Sequence, residues 1–386
     1  MREGFALLVA ACLTLASPVC GQTRGAGDST FEALARRGID HVYNLEFEQA
    51  EADFQELARL KPGHPAGPFF LAMVEWWKIM TDLDNEQYDR QFLAALDGVI
   101  TMCDSMLDRN PNDVTAIFFK GGSIGFQGRL QFHRNDYLAA ANPGRRALPL
   151  VQEAFALDPG NFDILLGTGI YNYYADVIPE EYPLVKPLIL FIPPGDRQKG
   201  IEQLTLAYRK GTYASVEAGY FLMQIYYFYE RDYGKALELA RDLTGRFPNN
   251  MVFHRYLGRC HVSLNNWEAG EQVFAEIARR AEGGQRGYGP AVEREAQYYL
   301  GVAAMMIRRF DEALEHLYRC DALSRTLDTD GASGFMSMAN LKIGMIYDCQ
   351  NKRSLAELQY RKVLDMREYM NSREQAEQFL KTPYAQ

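Results

Sequence analysis

The sequence predicts an all-α fold, an α-solenoid of about eight antiparallel helix pairs. Small residues, aromatic residues and prolines recur at fixed offsets over residues 31–366. The spacing is 34 residues from Gly38 to Ala72 and again from Gln224 to Gly258. Composition agrees with this prediction, because 47% hydrophobic and 24% charged residues are typical of a globular chain that buries a large core.

The N-terminal residues differ from the rest of the chain. An apolar run over residues 5–16 follows a basic start and leads to small residues near Gly21. This layout predicts a secretory signal peptide at residues 1–21, export to a periplasm, and a linker at residues 22–30. Acylation of Cys20 in a lipoprotein is the alternative, although the residues before it fit a lipobox poorly.

The first helix pair shows the repeating pattern in the segment LARRGIDHVYNLEFEQAEADFQELARLKP. Gly38 lies late in the first helix, Ala50 lies early in the second, Phe54 follows four residues later, and Pro62 ends the pair. Small residues let two helices approach closely, a large residue fills the space beside them, and proline stops the second helix. The segment therefore predicts two helices that pack on each other.

The same offsets recur along the chain in five further copies. They are Gly121 with Ala147, Ala154 and Pro159; Gly169 with Gly200, Leu204 and Ala207; Gly258 with Gly270 and Phe274; Gly301 with Ala313 and Leu317; and Gly344 with Ala356 and Tyr360. This pattern resembles the tetratricopeptide repeat (TPR), here in a protein of the exported bacterial type. The resemblance implies a right-handed superhelix over residues 31–366. Residues 367–386 are predicted to be a polar C-terminal tail.

Three insertions are predicted between the two helices of a pair, at Thr81–Glu86, Gly128–Gly144 and Ala175–Gly195. In a solenoid, insertions at corresponding connections emerge on one side, often the binding side. The third insertion, residues 175–195, is apolar and rich in proline. Its large apolar side chains include Leu184, Leu188, Leu190 and Phe191.

In the TPR family the first helix of each pair forms the inner surface of the superhelix, so the resemblance implies which side chains face a concave groove. Most of these side chains are aromatic. They include Phe69, Trp76, Trp77, Phe118, Tyr173, Tyr174, Phe221, Phe228 and Tyr229. Since a soluble monomer rarely leaves so much aromatic surface bare, we expect a cover: a peptide or protein partner, a hydrophobic small molecule, a second copy of the chain, or its own insert.

The insert over residues 183–194 is the preferred cover. At about 25 cal/mol per Å² of buried apolar surface, a few such side chains stabilise the protein substantially. Two other interpretations stay open. The aromatic side chains are ordinary core residues if the assigned repeat positions are shifted by one, and the insert is a membrane-contacting or partner-docking tip if it points away.

Two arginines stand out among the inner positions. Arg255 and Arg259 are one helical turn apart, which suits them to hold an acidic group. A solvated helix face is the alternative. The carboxylate clamp of the family is not found, because the first repeat has Ala35 and Ile39 where Lys and Asn are needed.

Charge and motifs exclude several functions. The net charge of −9 comes from 50 acidic and 41 basic residues spread along the chain, so no basic patch predicts a nucleic-acid partner. Ser123 lies in a G-x-S-x-G match, but no strand precedes it as a hydrolase requires. His254 and His261 are seven residues apart, too far for one metal ion on a straight helix. No cofactor or metal motif is found, and we predict no enzyme activity.

Four cysteines remain outside the predicted signal peptide: Cys103, Cys260, Cys320 and Cys349. Their long spacings favour buried free thiols on helices, although export would permit disulfides. The sequence thus predicts a non-catalytic exported scaffold that binds a peptide or protein partner through an aromatic concave groove. The alternative is an envelope-assembly or lipid-contacting factor that uses residues 183–194, and a homo-oligomer is compatible with either.

Overall fold

The computed structural model describes residues 26–181 and 193–385, and within them the chain forms seventeen α-helices and no strand. The helices are α1 (Ala26–Tyr43), α2 (Phe47–Leu60), α3 (Ala66–Thr81), α4 (Asp89–Leu107), α5 (Val114–His133), α6 (Tyr137–Leu157), α7 (Leu165–Glu181), α8 (Arg197–Lys210), α9 (Ser215–Gln224), α10 (Tyr233–Arg246), α11 (Met251–Ser263), α12 (Trp267–Glu282), α13 (Pro290–Met306), α14 (Phe310–Leu327), α15 (Gly334–Cys349), α16 (Arg353–Leu364) and α17 (Ser372–Lys381). A π-helical segment, Ile225–Tyr229, continues α9 without a break.

Helices α1 to α16 form eight consecutive pairs, and α17 follows the last pair. Several odd-numbered helices also contact the next odd-numbered one, as α1 contacts α3 and α13 contacts α15. The odd helices therefore form an inner layer and the even helices an outer layer. The predicted all-α solenoid of about eight helix pairs is confirmed.

The helices of a pair approach closely where the sequence places glycine. A Cβ atom on Gly258 would lie 2.8 Å from a ring carbon of Phe274. On Gly344 it would lie 2.5 Å from the ring of Tyr360. Both distances are shorter than a carbon–carbon contact of about 3.5 Å, so only glycine allows this packing. The predicted pairing of a small residue with a large one is therefore the contact that sets helix separation.

Most turns within a pair contain one residue in the left-handed backbone conformation, although none of these residues is glycine. The φ angles lie between 52° and 62°. These residues are Leu45, Asn135, Arg231, Asn265, Arg308 and Asn351. A left-handed residue ends the first helix, and the next residue precedes the second helix. Where that residue is Asp, as at Asp136 and Asp232, its carboxylate accepts a backbone N–H of the second helix.

Two boundaries differ from the sequence prediction. The insertion predicted at Gly128–Gly144 does not exist, because α5 continues to His133 and α6 begins at Tyr137, so the two helices are simply longer. The segment predicted as a polar tail, residues 367–386, contains α17. Ala376 of this helix is fully buried in the C-terminal core, so α17 covers the end of the last helix pair.

Two main apolar cores divide the molecule. The larger core extends from Phe31 in α1 to Leu300 in α13, and the smaller one extends from Ala304 in α13 to Ala376 in α17. We refer to helices α1–α12 as the N-terminal array and to α13–α17 as the C-terminal arm. The boundary between the two cores falls within α13, so the two regions share one helix.

Candidate functional site

Several of the predicted partner-binding side chains lie in the interior of the protein. Trp76 and Tyr173 are 0% exposed, Trp77 is 2% exposed and Phe69 is 9% exposed. The expectation that these four aromatic residues bind a partner in a concave groove is therefore wrong. The assigned repeat positions are not the reason, because the helices and their glycine contacts follow the predicted register.

Other helix pairs of the same chain cover the Trp77 ring. Its centroid lies 5.0 Å from the ring of Tyr43 in α1, 6.2 Å from that of Tyr220 in α9 and 5.8 Å from that of Phe253 in α11. The first and second pairs thus meet the fifth and sixth across the axis of the superhelix. The N-terminal array closes on itself, and its own aromatic side chains fill the interior.

An ion pair lies at the centre of this closure. Arg129 of α5 pairs with Glu217 of α9, and the Tyr43 hydroxyl donates to Glu217 Oε2 at 2.8 Å. The Arg129 guanidinium also lies 4.7 Å from the ring centroids of both Trp76 and Phe221. A buried charge is tolerated only when it is paired and hydrogen-bonded, and these contacts satisfy both groups.

Polar contacts join the ends of the closed array. The Asn250 side-chain amide donates to the Tyr43 carbonyl at 2.8 Å, and the Asn249 backbone N–H donates to the Asn44 side chain at 3.1 Å. At the surface, Arg286 pairs with Glu48 through two 2.7 Å hydrogen bonds. The turn between α1 and α2 is therefore fixed to the connections before α11 and α13.

Arg255 and Arg259 do hold an acidic group, but it belongs to the chain itself. Arg255 Nε and Arg259 Nη2 donate to Glu295 Oε2 at 2.7 and 2.6 Å. Glu295 is fully buried. Burial opposes its ionisation, yet the two arginines outweigh burial and lower its pKa to about 2. Since this carboxylate occupies both guanidinium groups, the expectation that they anchor a partner's acidic group is corrected.

The remaining predicted side chains are partly accessible. Tyr174 packs edge-on against Tyr229 at 5.6 Å and Phe221 at 6.4 Å, and all three are half-buried. Phe228 is 50% exposed. The predicted insert residues Leu184, Leu188, Leu190 and Phe191 lie outside the described residues.

A cavity of about 260 Å³ remains inside the array, where the N-terminal ends of α3, α5, α7 and α9 converge. Phe118 lines it, together with Phe119, Asp158 and Asp163. We call this cavity the N-terminal pocket. Of the predicted partner-binding residues, Phe118 is the one that lines it.

The inner surface of the C-terminal arm is only partly buried. Met306 of α13 is exposed and Met338 and Lys342 of α15 are half-buried, whereas Val302 and Met345 beside them are buried; we call these five residues the C-terminal inner face. Lys342 is half-buried between the two methionines of its helix, which lie one turn away on either side.

Lys342 is unusual because its ammonium group forms no hydrogen bond or ion pair with any described residue. Burial lowers its pKa, and no nearby carboxylate compensates. Among the described residues, this inner face therefore presents a cation without a counter-charge.

Comparison with known proteins agrees with this geometry at one segment. Residues 225–285, which include α10, α11 and α12, match the family model described as tetratricopeptide repeat. This segment of the chain matches a tetratricopeptide repeat. No curated protein matches it significantly.

Two solved structures of human IFIT1 align with this chain. The IFIT1 dimer with m7Gppp-AAAA is 14% identical, with a TM-score of 0.44, and the dimer with PPP-AAAA is 13% identical, with a TM-score of 0.42. Each alignment covers 92% of this chain and 85% of the other. At these scores the likeness indicates nothing about what this protein binds.

No candidate catalytic or metal-binding arrangement is found within the part of the chain that the structure describes. Ser123 is fully buried and its hydroxyl has no hydrogen-bond partner there. No group of three His, Cys, Asp or Glu side chains in residues 26–181 and 193–385 is arranged to hold a metal ion. Cys103, Cys260 and Cys320 are free thiols, and burial raises the pKa of each to about 12.

Proposed function

We propose that this TPR protein is a non-catalytic scaffold that binds a peptide or protein partner on the C-terminal inner face. The aromatic groove of the N-terminal array is filled by the chain itself, so the partner surface moves to the part of the inner layer that stays accessible. Export through a signal peptide at residues 1–21 belongs to the same proposal. Methionine side chains are common at such binding surfaces.

The observation that supports this proposal is the environment of Lys342. A half-buried ammonium group without a partner is unfavourable, and a carboxylate from a bound segment would compensate it. Met338 and Met345 beside it adapt to apolar side chains of varied shape. An acidic residue flanked by apolar residues would therefore match both the charge and the shape of this surface.

Site-specific photo-crosslinking tests the proposal. A photo-crosslinking amino acid replaces Met306 on the inner face or, as a matched control, Leu358 on the outer helix α16. The two side chains are similarly exposed, at 49% and 52%. We expect a discrete product from position 306 alone, identified by mass spectrometry. Lys342→Met should abolish it, whereas Lys352→Met on an exposed turn should not. Equal products from both positions, or indifference to Lys342→Met, would contradict the proposal.

A lipid-contacting role is the second candidate, and one observation favours it. Exposed apolar side chains lie at the C-terminal ends of successive inner helices, with Phe228 after α9, Leu264 after α11 and Ile307 after α13. The apolar insert joins α7 to α8 at the corresponding connection. Together they would form an apolar rim able to enter a membrane surface.

Liposome flotation tests this second candidate. Co-flotation of the intact protein that is lost when Leu188, Leu190 and Ile307 are changed to Ser would support a membrane-contacting rim. The matched control changes Leu355 and Leu358 of the outer helix α16, which are also exposed, to Ser. Absence of co-flotation in the intact protein, or equal loss in both variants, would dismiss it.

A further inference from the structure

The N-terminal pocket is a built cavity that the closed array does not fill. Its volume is about 260 Å³, less than that of a typical pocket for a drug-sized ligand. The connections before four inner helices line it, so parts of the chain that are far apart in sequence shape the pocket. A site of this size suits one small polar group rather than a folded segment.

Aromatic rings form one wall of the pocket and are held in place by their neighbours. The Phe118 and Phe119 rings meet edge-on with centroids 5.2 Å apart. Phe119 also contacts Phe69 at 5.2 Å, and Tyr213 contacts Phe70 at 5.6 Å. Because these rings pack against the core, their positions are set before any ligand arrives.

Two carboxylates also line the pocket, and they differ in their bonding. Asp163 Oδ1 accepts the backbone N–H groups of Tyr213 and Ala214 at 2.8 and 2.9 Å, so Asp163 fixes the start of α9. Asp158 follows the last residue of α6, and its carboxylate forms no hydrogen bond or ion pair with any described residue. Asp158 is therefore the carboxylate available to a ligand.

Positive charge near the pocket is limited. The charge of Lys61 lowers the pKa of His64, and the charge of Arg36 opposes the rise that burial causes in the pKa of Asp163. No lysine or arginine lines the cavity. Burial, with Lys61, lowers the pKa of His64, so this lining imidazole is neutral near pH 7. A cation that enters the pocket meets aromatic rings and a carboxylate without a positive side chain among the lining residues.

We propose that the N-terminal pocket binds a small organic cation, a primary ammonium or guanidinium group, between the Phe118 and Phe119 rings and the Asp158 carboxylate. Aromatic faces attract cations, and a carboxylate adds a charge-assisted hydrogen bond. A free amine and a basic side chain of a partner both carry this chemistry. The proposal does not depend on the C-terminal inner face.

Calorimetric titration of the full chain tests the proposal with two probes. Agmatine carries an ammonium and a guanidinium group on a short chain, and a blocked tripeptide with a central arginine presents the same group as a side chain. Saturable binding of agmatine alone would identify a free amine as the ligand. Binding of the tripeptide, alone or with agmatine, would identify a side chain. Binding of neither probe would overturn the proposal.

Three variants connect such binding to the pocket. We expect Asp158→Asn and Phe118→Leu each to weaken it about tenfold or more, as loss of a charged partner or a ring contact predicts. The control is Asp108→Asn, because Asp108 follows α4 as Asp158 follows α6 but is exposed and outside the pocket. Thermal melting confirms that each variant folds. Unchanged affinity in both pocket variants would overturn the proposal.

Discussion

Trp77 and Met306 occupy the same position of two different repeats, yet one is buried and the other is not. Trp77 in the N-terminal array is 2% exposed, whereas Met306 in the C-terminal arm is 49% exposed. The same offset from the small residue of the helix pair, Ala72 in one repeat and Gly301 in the other, therefore leads to opposite environments. Burial of an inner position depends on whether the superhelix closes at that point as well as on the repeat itself.

The two regions differ in what crosses the axis of the superhelix. In the N-terminal array, the aromatic rings of Tyr43, Trp77, Tyr220 and Phe253 come from four inner helices and contact one another. In the C-terminal arm, the inner position Val302 is buried but Met306 is exposed and Met338 half-buried, and α17 covers only the end. The array gains stability from this shared interior, while the arm keeps an accessible surface.

Substituting Trp77 and Met306 by alanine tests the contrast between the closed array and the open arm most directly. Trp77→Ala should lower the free energy of unfolding by about 3–5 kcal/mol, because it leaves a large cavity where four inner helices meet. Met306→Ala should cost less than about 1 kcal/mol, since its side chain is already half exposed. Urea denaturation followed by circular dichroism measures both. Similar losses would show that the array interior is not the shared core described above.

The next largest effect on the free energy of unfolding should come from the buried ion pair between Arg129 and Glu217. Glu217→Gln removes the counter-charge of Arg129 and should cost about 3–5 kcal/mol, because an uncompensated guanidinium stays buried. Arg129→Met combined with Glu217→Gln should recover part of the loss. The same denaturation experiment measures these values. A double variant less stable than Glu217→Gln alone would argue against charge compensation as the cause.

Glu295 connects the two regions, since it lies in α13 and binds two arginines of α11. Its pKa is lowered from 4.5 to about 2, so the unfolded chain binds protons more readily than the folded one. The ion pair should contribute about 3 kcal/mol above pH 4.5, and this contribution should be lost as the pH falls towards 2.

Denaturation of the intact protein and of Glu295→Gln across this pH range measures that contribution. We expect the advantage of the intact protein to be largest near neutral pH and to shrink steadily below about pH 4.5. A difference that stays constant with pH would mean that packing, not charge, makes Glu295 stabilising.

The smallest effect on the free energy of unfolding should come from the surface ion pair between Arg286 and Glu48. Arg286→Ala removes both bonds to Glu48, but both side chains are substantially exposed, so we expect a loss below about 1 kcal/mol. High salt should abolish the difference between the two proteins. A much larger loss in Arg286→Ala would show that polar contacts, rather than the aromatic interior, hold the array closed.

Only a small part of the candidate site could be predicted from the sequence. Arg255 and Arg259, one turn apart on α11, bind an acidic group as their spacing suggests. That group is Glu295, 36 residues beyond Arg259 on the next inner helix. Lys342 and Asp158 were missed, because a missing counter-charge is visible only when all neighbours are in place. The sequence offers only the placement of Lys342 between Met338 and Met345 on one helix face.

The sequence by itself determined the helix pairs. Gly258 with Phe274 and Gly344 with Tyr360 are contacts between neighbouring helices, so short-range spacing is enough to predict them. Only the tertiary structure decided that the array closes and the arm does not. Small rotations between repeats add up along the chain until Asn250 reaches Tyr43, 207 residues away, and no local pattern specifies that sum.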